Sequence, residues 1–116
     1  MWGAMVAESA DNEGRIVELA EIFRLLGDNS RLRIVLACLD EAVAVGDMAA
    51  RLKLQPSLVS HHLRLLRAAR LLKAERHGKQ VHYRAADAHV RRILGDMLAH
   101  VAEDTAEAAA EAEAEV

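Results

Sequence analysis

Apolar positions along this chain keep a helical period for most of its length and change to strand-like alternation once. In EGRIVELAEIFRLL (residues 13–26), Ile16, Leu19, Ala20, Phe23 and Leu26 recur at steps of three and four. That spacing predicts an amphipathic helix with these residues on one face, closed by Gly27. RLRIVLACL follows, apolar enough for a buried second helix, with Ser30 placed to cap it. VGDMAARLKL predicts a short third helix with Val45, Met48, Ala49 and Leu52 inward. In QPSLVSHHLRLLRAARLL, Pro56 suits the first turn of a fourth helix, where its missing N–H costs nothing. Leu58, Val59, Leu63 and Leu66 supply the apolar contacts of that helix; Ser57, Ser60, His61, Arg64 and Arg67 make a polar side. His61 and His62 point about 100° apart, so one can face outward while the other packs.

The period then becomes two. LLKAERHGKQVHYRAAD predicts strands over about 71–76 and 80–85, joined at HGKQ with Gly78 in the turn. A last helix follows, its apolar stripe Val90, Ile93, Leu94, Met97, Leu98 and Val101, with Asp87 at its N-cap. A short helix, a tight connection and a polar-faced helix make a helix-turn-helix. The hairpin after it makes a wing, with Arg76, His77 and Lys79 at or near its tip. The expected fold class is mostly α with a β-hairpin: a winged helix-turn-helix over residues 13–104, dimerising through its first and last helices. Residues 1–12 read as a flexible N-terminus and 105–116 as an acidic Ala/Glu-rich tail.

Composition changes the picture in one respect. The net charge of −3 conceals a basic middle, because residues 51–92 carry eleven Lys or Arg against Glu75 and Asp87. Both ends are acidic. A basic block of this kind suits a polyanion such as DNA. Ser57, Ser60 and His61 would sit near the start of the reading helix, where base edges or phosphates lie. Arg64, Arg67 and the wing residues would take phosphate. No apolar run approaches the ~18–20 residues of a membrane span, and nothing at the start resembles a secretory signal. The lone Cys38 excludes an intrachain disulfide framework and fits a reducing cytoplasm; its place is the core.

The last helix carries the remaining chemistry. Eleven positions separate His89 from His100, about 1100° or some 20° past three turns, so both lie on one face, about 16 Å apart along the axis. No single ion reaches both, since metal–nitrogen bonds are about 2 Å. Asp87 can share an ion with His89, and Glu103 with His100. An antiparallel copy of the helix would bring Asp87 and His89 of one chain opposite His100 and Glu103 of the other, giving two sites of two nitrogens and two oxygens suited to tetrahedral zinc. Spacing alone leaves the plainer alternative open, in which Asp87 only caps and the others are solvated.

Three stretches resemble the ArsR/SmtB family of metal-sensing bacterial repressors. LGDNSRLRIVLACL is similar to the family's second-helix signature, departing at Asn29, where proline is frequent. VGDMAARLKLQPSLVSHHLRLLRAARLLKAERHGKQVHYR is similar to its helix-turn-helix and wing, with LVSHHLRLLR the most specific part. Asp87, His89, His100 and Glu103 match the family's zinc-type site in the last helix. The family's thiolate sites need a cysteine near EAVAVGD, and Ala42, Val43, Ala44 and Val45 supply none. The resemblance implies a homodimeric repressor that holds operator DNA when metal-free and releases it when zinc bridges the last helices. It also implies a hydrogen bond from the non-ligating nitrogen of His100 to a backbone carbonyl near Arg70. Cobalt or nickel are alternatives to zinc; nickel prefers more ligands than the histidine-free termini offer. The rival readings are a regulator of the same fold with a non-metal effector, such as an oxidant acting on Cys38, and a small metal-dependent hydrolase. The hydrolase is disfavoured because no nucleophile–base pair is visible.

Overall fold

The computed structural model describes residues 10–114, in the order α1 (Ala10–Leu26), α2 (Asn29–Ala37), β1 (Val43–Ala44), α3 (Val45–Leu52), α4 (Pro56–Ala68), β2 (Leu72–His77), β3 (Gln80–Ala85) and α5 (Ala88–Ala114). Of the stretch read as flexible, residues 10–12 belong to α1, and 1–9 lie outside the described residues. The helix α5 runs through position 104 to Ala114, about 40 Å at 1.5 Å per residue, so that position is no element boundary.

One core forms where α2, α3, α4 and the sheet meet. Ile34, Val35, Met48, Val59, Leu63, Leu66 and Leu72 are fully buried there, with Cys38 among them. Burial pushes the Cys38 thiol up to about 12, because a thiolate without water is costly. The sheet is antiparallel in the order β1-β3-β2. Its hairpin pairs Leu72 with Ala85 through His77 with Gln80, and Gly78 takes the turn at φ 64°. The strand β2 thus starts and ends one residue later than the alternation suggested. The strand β1 was not foreseen: Val43 and Ala44 pair with Tyr83 and His82, tying the start of the helix-turn-helix to the wing.

Three sequence expectations are corrected. Ser30 does not cap α2. Asp28 does, in extended conformation, its Oδ2 accepting the Arg31 N–H at 3.0 Å. A carboxylate at that position offsets the helix dipole as well as filling the cap, and the Arg31 N–H holds the Asp28 carboxyl below its ordinary range. The helix α1 also turns a different stripe inward. Leu25 is buried and Ile22 and Leu26 pack on the core, whereas Leu19 and Phe23 are 46 % and 60 % exposed. Both faces of α1 are apolar, so periodicity could not tell which one meets the core. Leu58 is likewise exposed rather than packed.

Candidate DNA-reading face and metal half-sites

Between α3 and α4 the chain turns within three residues. Lys53 adopts the left-handed conformation at φ 57°, and the Leu54 N–H reaches back to the Ala49 carbonyl at 3.0 Å. Pro56 begins α4, as its fixed φ allows. The inward face of α4 is Val59, His62, Leu63 and Leu66. Ser57, Ser60, His61, Arg64 and Arg67 fall on the opposite arc of about 120°; all are exposed except Ser60, which is half-buried. The two histidines divide as expected: His61 faces out and His62 is 7 % exposed. His62 Nδ1 has no hydrogen-bond partner, and burial lowers its pKa, against the pull of Asp28.

On the wing, Arg76, His77 and Lys79 are all exposed, but they do not act as one set. Strand alternation puts Arg76 on the face opposite His77. The His77 ring stacks on His82 at 4.2 Å, only 7° from parallel. His77 Nε2 lies 3.2 Å from Glu75 Oε2, and Arg84 donates to Glu75 Oε1 at 3.1 Å. Hydrogen bonds from His77 and Arg84 hold the Glu75 carboxyl below its usual range. His82, Arg84 and Glu75 therefore govern where His77 sits, and the sequence reading missed them. The signal available was cross-strand register, with Glu75 opposite His82.

The last helix keeps its two candidate ligand pairs apart. Asp87 caps α5, its Oδ1 accepting the Val90 N–H at 3.0 Å. That bond, with His89 nearby, keeps the carboxyl below its ordinary range. The same Oδ1 is 3.6 Å from His89 Nδ1, and the His89 side chain is 93 % exposed. His100 and Glu103 are exposed one turn apart. Among the described residues, no group of three or more His, Cys, Asp or Glu in one chain is placed to hold a metal ion. Each pair offers one nitrogen and a carboxylate to solvent, a donor set that fits half of a tetrahedral zinc shell. Along the same helix Val90 and Leu94 pack on the core, while Ile93, Met97, Leu98 and Val101 are more than half exposed. Among the described residues no helix is long and apolar enough to cross a membrane.

Residues 28–74 match the model of the family described as bacterial regulatory protein, arsR family. The regulator CmtR of Mycobacterium tuberculosis is 44 % identical over 86 residues, covering 74 % of this chain and 73 % of that protein. A transcriptional repressor SmtB homolog of Synechocystis is 42 % identical over 86 residues, covering 74 % of this chain but 65 % of that protein, just under two thirds of its length. In three dimensions the chain superposes on the cadmium metal-sensor CmtR of M. tuberculosis with a TM-score of 0.60 at 44 % identity, covering 66 % and 80 % of the two chains. It also superposes on the homodimeric winged helix-turn-helix domain of Mb0332 from Mycobacterium bovis with a TM-score of 0.76 at 24 % identity, covering 86 % and 92 %.

Proposed function

The chain belongs to the arsR family of bacterial regulatory proteins, and from that premise we propose that it is a homodimeric, metal-responsive repressor of transcription, acting in the cytoplasm. The metal-free dimer holds operator DNA with α4 in the major groove and the wing on the backbone. Ser57, Ser60 and His61 read base edges or nearby phosphates; Arg64, Arg67, Arg76, His77 and Lys79 hold phosphate.

The observation that carries the metal response is the pair Asp87 and His89 at the start of α5, with His100 and Glu103 on the same face about 16 Å along. Neither pair is a site alone. Two copies supply two complete sets, Asp87 and His89 from one chain with His100 and Glu103 from the other. When bound, zinc supplies a demand for four ligands in fixed directions. Meeting that demand favours one arrangement of the two α5 helices, and differential affinity for one dimer form is what any such switch requires. The relatives agree in kind: CmtR is a cadmium metal-sensor and the Synechocystis protein a homolog of the repressor SmtB. Two imidazoles and two carboxylates are harder donors than a cadmium site built on thiolates would use, which favours zinc, then cobalt.

A redox effector acting on Cys38 is the weaker reading. The thiol is fully buried and pushed up to about 12, so it is not the thiolate that oxidants attack. The deciding experiment titrates zinc, cobalt and nickel into a complex of the protein with a duplex that the metal-free protein has selected from a random pool. Zinc should release the DNA at the lowest free concentration. Retention of DNA at saturating levels of all three metals would refute the metal response.

A further inference from the structure

Between the two half-sites, the ligand-bearing face of α5 carries a charge pattern that the metal chemistry does not use. His89, Arg92, Ile93 and Asp96 line one shallow open groove. With His89 as reference, about 100° per residue puts Ile93 about 40° to one side, Asp96 about 20° to the other, and Arg92 about 60° to that same side. The face thus has an apolar edge, Ile93 with exposed Met97, and a charged edge, Arg92 with Asp96. Arg92 and Asp96 are exposed, and among the described residues no ion pair engages either.

The register of the half-sites, on which this inference rests, locates the charged edge in the dimer. If His89 of one helix lies level with His100 of an antiparallel partner, the two-fold axis passes the stretch Leu94–Gly95. Reflection through that point brings Arg92 to within one residue, about 1.5 Å of rise, of the partner's Asp96. A two-fold perpendicular to both helices keeps like edges on the same side of the contact. Both Arg92 and the partner's Asp96 therefore stand on one edge, at one level. The two Asp96 side chains also come within about a turn of each other, a repulsion that the arginines relieve. A parallel pairing in register puts like edges on opposite sides of the contact, and would instead set Arg92 and Asp96 against the partner's apolar edge, Ile93 with Met97. We infer that Arg92 and Asp96 form a symmetric cluster of four charges at the centre of the α5 contact with a second copy of this chain, and that the cluster selects the antiparallel pairing the half-sites need.

Charge reversal tests this without metal. Arg92→Asp makes a chain with two acids on this edge, and Asp96→Arg makes one with two bases. Each variant alone should dimerise at least tenfold more weakly by sedimentation equilibrium at low salt. Mixed, the two should form heterodimers well above the statistical half by native mass spectrometry, because both cross pairs become acid–base. Arg91→Asp makes the same charge change about 100° away from Arg92, and should leave dimerisation unchanged. Statistical mixing, or an equal effect of Arg91→Asp, would overturn the cluster. If a reversal unfolds the chain by circular dichroism, Arg92→Gln and Asp96→Asn serve instead. Either should flatten the salt dependence of dimerisation, and an unaltered salt dependence would refute the cluster. Zinc stoichiometry separates this inference from the reading beneath it. Two zinc ions per wild-type dimer with statistical mixing condemns the cluster alone; preferential mixing with no zinc bound condemns the metal site alone.

Discussion

In the winged head, apolar side chains find their partners within one chain: Ile34, Met48, Val59, Leu63 and Leu66 are each at most 1 % exposed. Along α5 the equally apolar Ile93, Met97, Leu98 and Val101 remain more than half exposed, and the two pairs proposed as metal donors stand about 16 Å apart, where among the described residues no group of three or more His, Cys, Asp or Glu comes together to hold an ion. The head closes its core within one chain; the last helix leaves its apolar stripe open to a partner. A four-residue apolar stripe on a helix is a costly surface to leave in water. The residues that would sense metal lie on that same helix. On the reading proposed above, completing the hydrophobic contact and completing the metal shell would be one event, and a change in either would alter how two heads are held relative to DNA.

The contrast is tested most severely by mixing two defective chains. His89→Ala destroys one half-site and His100→Ala the other. Each mutant homodimer should bind no zinc tightly. The heterodimer gathers both lesions into one site and leaves the second site whole, so it should bind one tight zinc ion, measured by competition with a chromophoric chelator. Both homodimers should still bind DNA, since neither histidine lies in α4. A heterodimer that recovers no site while the wild type binds two ions would show that the half-sites do not meet across the dimer.

The next effect in size separates the two kinds of apolar surface. Leu66→Ala empties space in a closed core and should cost about 2–5 kcal/mol, read from urea unfolding at fixed protein concentration. Met97→Ala should change the unfolding of the dilute monomer by less than about 0.5 kcal/mol, yet weaken dimerisation about tenfold as buried contact area is lost. Equal unfolding costs for the two substitutions would mean that Met97 is packed within its own chain.

Much of the head was legible because its elements state themselves locally. Pro56 at a helix start, Gly78 in a turn and alternation through Val81 and Tyr83 each have one structural meaning. The elements misread were those decided by tertiary contact. The strand β1 is two residues long, too short for any period to appear, and exists because β3 offers it an edge. The inward face of α1 was ambiguous because Leu19 and Phe23 are as apolar as Ile22 and Leu25; the core chose the second stripe. Ser30 and Asp28 are both good caps, and the turn after Gly27 decided for Asp28. The placing of Asp87, His89, His100 and Glu103 on one helix was visible as spacing, whereas the wing network of Glu75, His77, His82 and Arg84 needed the strand register.

On DNA, the head predicts a smaller graded effect. Arg64→Ala should weaken specific and random duplexes alike, by about tenfold, and reduce the salt dependence of binding. Ser57→Ala or His61→Ala should damage the specific duplex more than the random one if these residues meet base edges. Equal losses on both duplexes from all three substitutions, by fluorescence anisotropy, would assign the whole exposed face of α4 to phosphate.

The smallest effect concerns His62, a buried polar residue within the head's otherwise apolar packing. Burial favours its neutral ring, so its folded pKa lies below the ordinary value of 6.5. An unfolded chain therefore takes up this proton at a higher pH than the folded one. The sign follows from linkage: the contribution of neutral His62 is fully present above about pH 6.5, and stability is lost as pH falls below it, levelling once the folded ring also protonates. Asp28 moderates the loss by attracting the charged ring, while Arg31 and His61 deepen it. His62→Gln keeps a polar planar group of similar reach but cannot titrate. Its unfolding free energy should fall less steeply than wild type between about pH 7 and pH 5, whatever its absolute stability. Dimer formation compared over the same range should not distinguish the two proteins, because His62 lies in the closed head and away from α5. Parallel pH profiles of unfolding for wild type and His62→Gln would remove His62 from the account. A His62-dependent change in dimerisation would show instead that the head and the last helix are not the separate halves described above.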